Sequence, residues 1–216
     1  YLIDKKNKVS SHFLIGKSGK VYNLVNESKR AWHAGKSRWN NLTDINSYSI
    51  GIELDYLGLN KKNNNYSIIQ IKSLIKLLKL IIKKYKIDKS HILGHSDIAP
   101  YRKIDPGKYF PWHLIQEKKL SFEIKLIKDK KIIKNLIHKW FIKNKFNSKK
   151  KIILFMLSYI GYDISLSINN NLYFNQLILI YSNRFRLYKN YYYNKKKIFN
   201  VIELHFINVL LTKLKK

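Results

Sequence analysis

Between Gly94 and Gly107 the chain reads GHSDIAPYRKIDPG, which gathers a histidine, two aspartates, an arginine and a lysine between two glycines, with Pro100 and Pro106 stiffening the backbone. His95 offers a neutral imidazole, and Asp105 a carboxylate held by the proline after it. Both suit Zn²⁺, whose catalytic sites use three protein ligands and leave a fourth position open. The 216 residues include no cysteine, so thiolate ligation and disulfides are excluded, and any metal must be held by histidine, carboxylate and water. Lys103 lies two residues before Asp105, and in an extended segment both side chains leave on the same side. A cation there can stabilise the oxyanion formed when a carbonyl is attacked. Taken alone, the same residues also fit a loop tied down by hydrogen bonds from His95 and Asp97, with Lys103 solvated.

Such a loop needs a frame. HFLIGKSGKVYNLV places two apolar runs around Lys17-Ser18-Gly19-Lys20, a hairpin whose Gly19 can take a positive φ. YSIGIEL, residues 48–54, has the β-rich texture of a central strand. From Ser67 to Lys86 apolar residues recur at helical spacing, with lysines 72, 76, 79 and 83 on the opposite face and a capping box of Ser67 with Gln70 at the start. HILGH then reads as a strand running into the loop. Strand, helix, strand and loop make an α/β layout with the functional loop at a strand's carboxyl end. Helical spacing resumes at 131–143, 148–160, 171–186 and 198–214, with Gly161 at a C-cap. The expected fold class is therefore α/β, a mixed central sheet flanked by helices, followed by a small all-α domain. Its expected spans are 1–116, a linker at 117–130, and 131–216.

A formal net charge of +30 suggests an anionic partner. The lysines are nevertheless spread over nearly every segment rather than gathered in one stripe, and they accompany an excess of Ile, Asn and Tyr, the residues of AT-rich codons. Biased coding DNA accounts for that pattern, and no nucleic-acid partner is expected. The longest apolar runs fall short of a membrane span.

RAWHAGKSRWNNLTDINSYSIGIEL, followed by GHSDIAPYRKIDPG and FPW, closely resembles the zinc-dependent N-acetylmuramoyl-L-alanine amidases, the type related to peptidoglycan recognition proteins. The resemblance covers approximately residues 9–115. It implies Zn²⁺ as cofactor, His95 and Asp105 as metal ligands, Glu53 in SIGIEL as the catalytic carboxylate and Lys103 as its partner at the oxyanion. His12 in VSSHFLI and His33 in AWHAG match stretches that line the family's cleft, and with Trp32 and Arg102 they are the candidate substrate contacts. Read from the residues alone, Glu53 also fits a surface carboxylate on a strand, and Trp32, Trp39 and Trp112 fit either sugar platforms or core packing.

The implied reaction is hydrolysis of the amide between N-acetylmuramic acid and L-alanine in peptidoglycan or muropeptides. The compartment would be the bacterial envelope or periplasm, or the cytoplasm if fragments are recycled there. The alternative is a non-catalytic peptidoglycan-binding relative with an incomplete metal site. The family takes its third ligand, a histidine, from a strand ahead of VSSHFLI, so a further strand upstream of Tyr1 is expected. Asn46-Ser47 stands where the family often shows Asn-Asp. The second half resembles the family's small helical peptidoglycan-binding domain through LSYIGYDI and YSNRFRLYKN, with its glycine and glutamine markers eroded.

Overall fold

A computed structural model describes residues 9–57, 65–127, 130–185 and 195–215. The hairpin forms as its turn chemistry dictates: β1 (Phe13–Ile15) pairs antiparallel with β2 (Val21–Asn23), and Gly19 takes φ +82° in the connection. Strand β3 (Ile52–Leu54) runs parallel to β1, with Leu14 opposite Glu53, in the order β2-β1-β3. Among the described residues β3 is thus an edge strand and β1 the central one, contrary to the central place expected for 48–54.

Helix α1 (Ile68–Tyr85) packs Ile71, Leu74, Leu78 and Ile81 onto the sheet. The expected capping box does not form. Ser67 occupies the N-cap without a side-chain bond, because the buried Gln70 amide donates instead to the carbonyls of Ile15 (2.8 Å) and Asp55 (3.2 Å). It thereby satisfies backbone groups where β1 and β3 end. Nor is HILGH a strand: Lys89–His91 is a 3₁₀ turn, and Ile92–Gly94 pairs with no strand among the described residues. The chain then enters a single helical turn, α2 (His95–Ile98), and after the loop a short helix, α3 (Trp112–Glu117).

The second half is helical: α4 (Lys130–Lys143), α5 (Lys149–Ile160), α6 (Asn171–Arg184) and α7 (Lys195–Lys213). Ser148 caps α5 and Asn170 caps α6 through side-chain oxygens. Gly161, at φ +134°, closes α5 against Trp39, whose ring would lie 2.6 Å from any added Cβ. A fully buried Glu203 on α7 is paired with Lys134 of α4.

Two apolar clusters result. One joins Phe13, Ile15, the inner face of α1, Phe110, Trp112 and Ile115. The other is built on α5, α6 and α7, yet also takes in Ala34, Trp39, Ile45, Ile98 and Ala99 from the first half. No helix among the described residues is long and apolar enough to cross a membrane.

Candidate active site

Three segments converge at the sheet: strand β3 with Glu53, the loop Ala31–Ser37, and the turn from Gly94 through Gly107. The last is laced to itself. Ser96 N–H donates to the Asp105 carbonyl at 2.8 Å, and Tyr66 Oη donates to the Pro106 carbonyl at 2.9 Å. A Cβ on Gly94 would meet Pro106 at 2.6 Å, so the two limbs touch. This closure sets His95 Nδ1 3.1 Å from Asp105 Oδ2. Two donors on one tetrahedral zinc stand roughly 3.4 Å apart, from metal–ligand distances of about 2.0–2.1 Å, so the pair fits two corners of such a site. Among the described residues no third His, Asp, Glu or Cys joins them.

Electrostatics tie the remaining candidates to that pair. The Glu53 carboxyl is raised above the ordinary glutamate range, first by burial and then by the charge of Asp105, while His95 and Lys103 act in the opposite sense. Asp105 is also desolvated, but the hydrogen bond and charge of His95, with help from Lys103, bring it below its ordinary value. Glu53, Lys103, His95 and Asp105 therefore share one electrostatic neighbourhood.

Arg102 lies on the same turn and points at the backbone. Its guanidinium donates to the Ala34 carbonyl (2.7 Å) and to the Lys36 carbonyl (2.9 and 3.2 Å), clamping the loop at Gly35, which is held at φ +57°. Trp32 is 54% exposed and lies under Arg30, whose guanidinium is 4.3 Å from the ring centre. Trp39 and Trp112 are core residues, 6% and 5% exposed.

The two histidines of the first half differ. His12 is 1% exposed; its Nε2 donates to the Lys29 carbonyl at 2.9 Å and its Nδ1 accepts Gly51 N–H at 3.0 Å. It is a strut beneath the cleft, with both ring nitrogens occupied. His33 packs flat on Gly51, where an added Cβ would lie 2.3 Å from its ring, and its buried Nε2 has no partner. Burial first, and His12 and His95 after it, bring its pKa down to about 4.

Two features escaped the sequence reading. Asn46 is buried, and its Oδ1 accepts the N–H groups of both His33 (3.0 Å) and Ala34 (2.8 Å), which fixes the loop carrying His33. Asp97 is buried with partners from the helical half. An asparagine within the family motif was a visible signal for the first; for the second, the chain offers only the arginines of YSNRFRLYKN, Arg184 and Arg186, in a half otherwise supplied with lysine.

The comparisons bear on this geometry. A family profile described as N-acetylmuramoyl-L-alanine amidase matches residues 2–108. Residues 2–108 belong to the N-acetylmuramoyl-L-alanine amidase family. Within this amidase family, the 1,6-anhydro-N-acetylmuramyl-L-alanine amidase AmpD of Haemophilus influenzae is 45% identical over 106 residues, which are 49% of this chain and 55% of AmpD. The N-acetylmuramoyl-L-alanine amidase AmiD of Escherichia coli is 41% identical over 129 residues, 54% of this chain and 46% of AmiD. The chain thus spans about half the length of the curated amidases it matches. The solved structure of E. coli AmiD in complex with the substrate anhydro-N-acetylmuramic acid-L-Ala-D-gamma-Glu-L-Lys superposes with a TM-score of 0.77 at 27% identity, covering 96% of this chain and 82% of that one. That likeness includes the helical half.

Proposed function

We propose that this chain hydrolyses the amide between N-acetylmuramic acid and L-alanine in muropeptides or peptidoglycan, with zinc held in part by His95 and Asp105. The observation that carries the reading is the His95–Asp105 pair at 3.1 Å with Glu53 and Lys103 in its field. Zinc bound there would acidify a water toward pKa about 7 and polarise the scissile carbonyl. Glu53, desolvated on β3, is suited to accept a proton from the attacking water and to deliver it to the departing amine of L-alanine. Its raised pKa makes it the stronger base for the first half of that exchange. Lys103 supplies a positive charge where the carbonyl oxygen becomes anionic. The exposed ring of Trp32 and the unpartnered Nε2 of His33 are the candidate contacts for substrate, and Arg102 acts by holding the loop that carries them.

AmpD and AmiD, by name and by bound substrate, act on anhydromuramyl peptides or their relatives, which makes a soluble anhydromuropeptide the first substrate to try. The test is to incubate the zinc-loaded chain with that compound and follow the released peptide by chromatography. Glu53→Gln should lower turnover by about 10²- to 10⁴-fold, the range of general acid–base contributions, with zinc content unchanged. A Glu53→Gln variant as active as the parent would remove Glu53 from the mechanism.

We further propose that the helical half, residues 131–216, contributes binding to insoluble peptidoglycan. It holds a cavity of about 210 Å³ lined by Lys149, Lys150, Ile153, Phe174 and Phe199, with Lys149 over Phe199 and Lys150 over Phe174. Rings and cations together suit a sugar polymer bearing carboxylates. Replacing Phe174 with alanine should weaken pelleting with peptidoglycan while leaving cleavage of the soluble fragment intact.

A second reading is a peptidoglycan binder without catalysis, favoured by the count of two metal donors among the described residues. Tight binding of the muropeptide with neither zinc uptake nor cleavage would select it.

A further inference from the structure

Helix α2, which begins at His95, is only four residues long. A single turn gains one or two backbone bonds against the cost of fixing its dihedrals, so it does not hold itself. Asp97 holds it. Its Oδ2 accepts Gly94 N–H at 2.7 Å, and its own N–H donates to the Gly94 carbonyl at 3.0 Å, closing the backbone on either side of His95.

Asp97 is itself held from the other half of the chain. Tyr162 Oη, just past α5, donates to Asp97 Oδ1 at 2.9 Å, and Arg184 Nε, at the end of α6, lies 3.4 Å from Oδ2. Arg184 is fixed in turn: it donates to the Ile92 carbonyl at 2.9 Å, and its guanidinium lies 3.2 Å from the centre of the Trp112 ring. Asp97, Tyr162 and Arg184 are 1%, 4% and 5% exposed. In so dry a setting each of these bonds is stronger than in water, and an unpaired charge is expensive.

We infer that Tyr162 and Arg184 are positioning residues, through which the helical half sets the Gly94–Asp97 turn and so aims His95. Neither touches the candidate reacting groups; both act through Asp97. Groups one step behind a metal ligand commonly matter 10- to 100-fold for metal affinity or activity. The inference rests on the amidase reading for its kinetic consequence, though not for its structural one.

The test compares three variants of the full chain. Tyr162→Phe keeps the ring, its edge contact with Trp39 and the fold, and deletes only the donor to Asp97. Arg184→Lys keeps a charge and loses the planar fork and the stack. Tyr181→Phe is the control: it keeps the ring beside Tyr162 and deletes a buried hydroxyl that bonds His205 rather than Asp97. Amide exchange of Gly94 and its neighbours is read by NMR, and kcat and KM are measured on the soluble anhydromuropeptide well below the unfolding temperature. Tyr162→Phe and Arg184→Lys should speed Gly94 exchange and lower kcat by about tenfold or more with KM little changed. Tyr181→Phe should lower the unfolding temperature alone. Unchanged Gly94 exchange in Tyr162→Phe, or an equal kcat loss in Tyr181→Phe, would overturn the inference. Should the parent release no peptide at all, the amidase reading fails while the exchange measurement still decides the positioning role.

Discussion

Gly51 is where strand, cleft and histidine strut meet, and adding one methyl there is a sharp test of how tightly the site is built. Its carbonyl accepts the N–H groups of His12 and Phe13, its N–H donates to His12 Nδ1, and the His33 ring lies across its α-carbon. In Gly51→Ala the new Cβ would fall 2.3 Å from His33 Cγ and 2.5 Å from Cδ2, where ordinary carbon contacts are about 3.5 Å. The ring must retreat by roughly 1.2 Å to reach that separation, and the backbone cannot yield instead, because three hydrogen bonds fix it. Overpacking of this kind costs about 1–3 kcal/mol, and for a chain of this length each kcal/mol shifts the unfolding temperature by about 2–4 °C. Thermal unfolding by circular dichroism should therefore show a fall of about 2–12 °C. NMR titration supplies the second readout. His33 is held to a pKa of about 4 chiefly by burial, so a ring displaced toward solvent should titrate higher. Unchanged unfolding together with an unchanged His33 titration would show that the cleft floor is looser than described.

Lys103→Ala should reduce kcat on a soluble muropeptide by about 10²- to 10³-fold, as the loss of one oxyanion partner does elsewhere; an equal loss of bound zinc would make the lysine structural instead. Acidification should destabilise the fold, because His205 and His33 have pKa values lowered to about 3 and about 4, chiefly by burial. The unfolded chain then binds protons below pH 6.5 that the folded chain refuses, and stability falls by up to about 1.4 kcal/mol per pH unit per histidine, less for the partly solvated His33. Urea midpoints at pH 7 and pH 4.5 measure the effect, and His205→Gln should flatten it. Lys134→Met should cost about 3–5 kcal/mol by leaving the Glu203 carboxylate buried and unpaired, whereas Lys134→Met with Glu203→Met should recover most of it; equal urea midpoints for the single and double variants would refute the pairing.

The parts legible in the sequence were those in which local chemistry and tertiary demand agree. Gly19 needed a positive φ and found it, Gly161 ended a helix, and the apolar spacing of α1, α5 and α6 marked their buried faces. The loop from Gly94 to Gly107 could be read because its residue types are unusual together. Misreadings arose where a side chain had a distant use. Gln70 had the spacing of a capping residue, yet its amide is drawn to the ends of β1 and β3. Ile92 and Leu93 had the texture of a strand, but the Ile92 carbonyl is taken by Arg184, 92 residues later, and no single-sequence pattern records such a partner. Composition did leave a trace. In a chain so biased toward lysine, Arg30, Arg102 and Arg184 each make contacts that use a planar fork or a flat stacking face, work for which lysine is a poor substitute.

The distance between Ile92 and Arg184 also orders events during synthesis. The turn that carries His95 leaves the ribosome well before α6 exists, so Asp97 must wait for its cation while the intervening chain is made. Bringing such remote groups together carries the entropy of closing a long loop, and contacts of that span form late. The loop that carries His95 is therefore expected to set only after the helices have packed, and a product broken off ahead of residue 184 would carry a buried acid without its cation. Nascent chains of that length should be the ones that proteases find, which makes the finished site a certificate that translation reached the far side of the molecule.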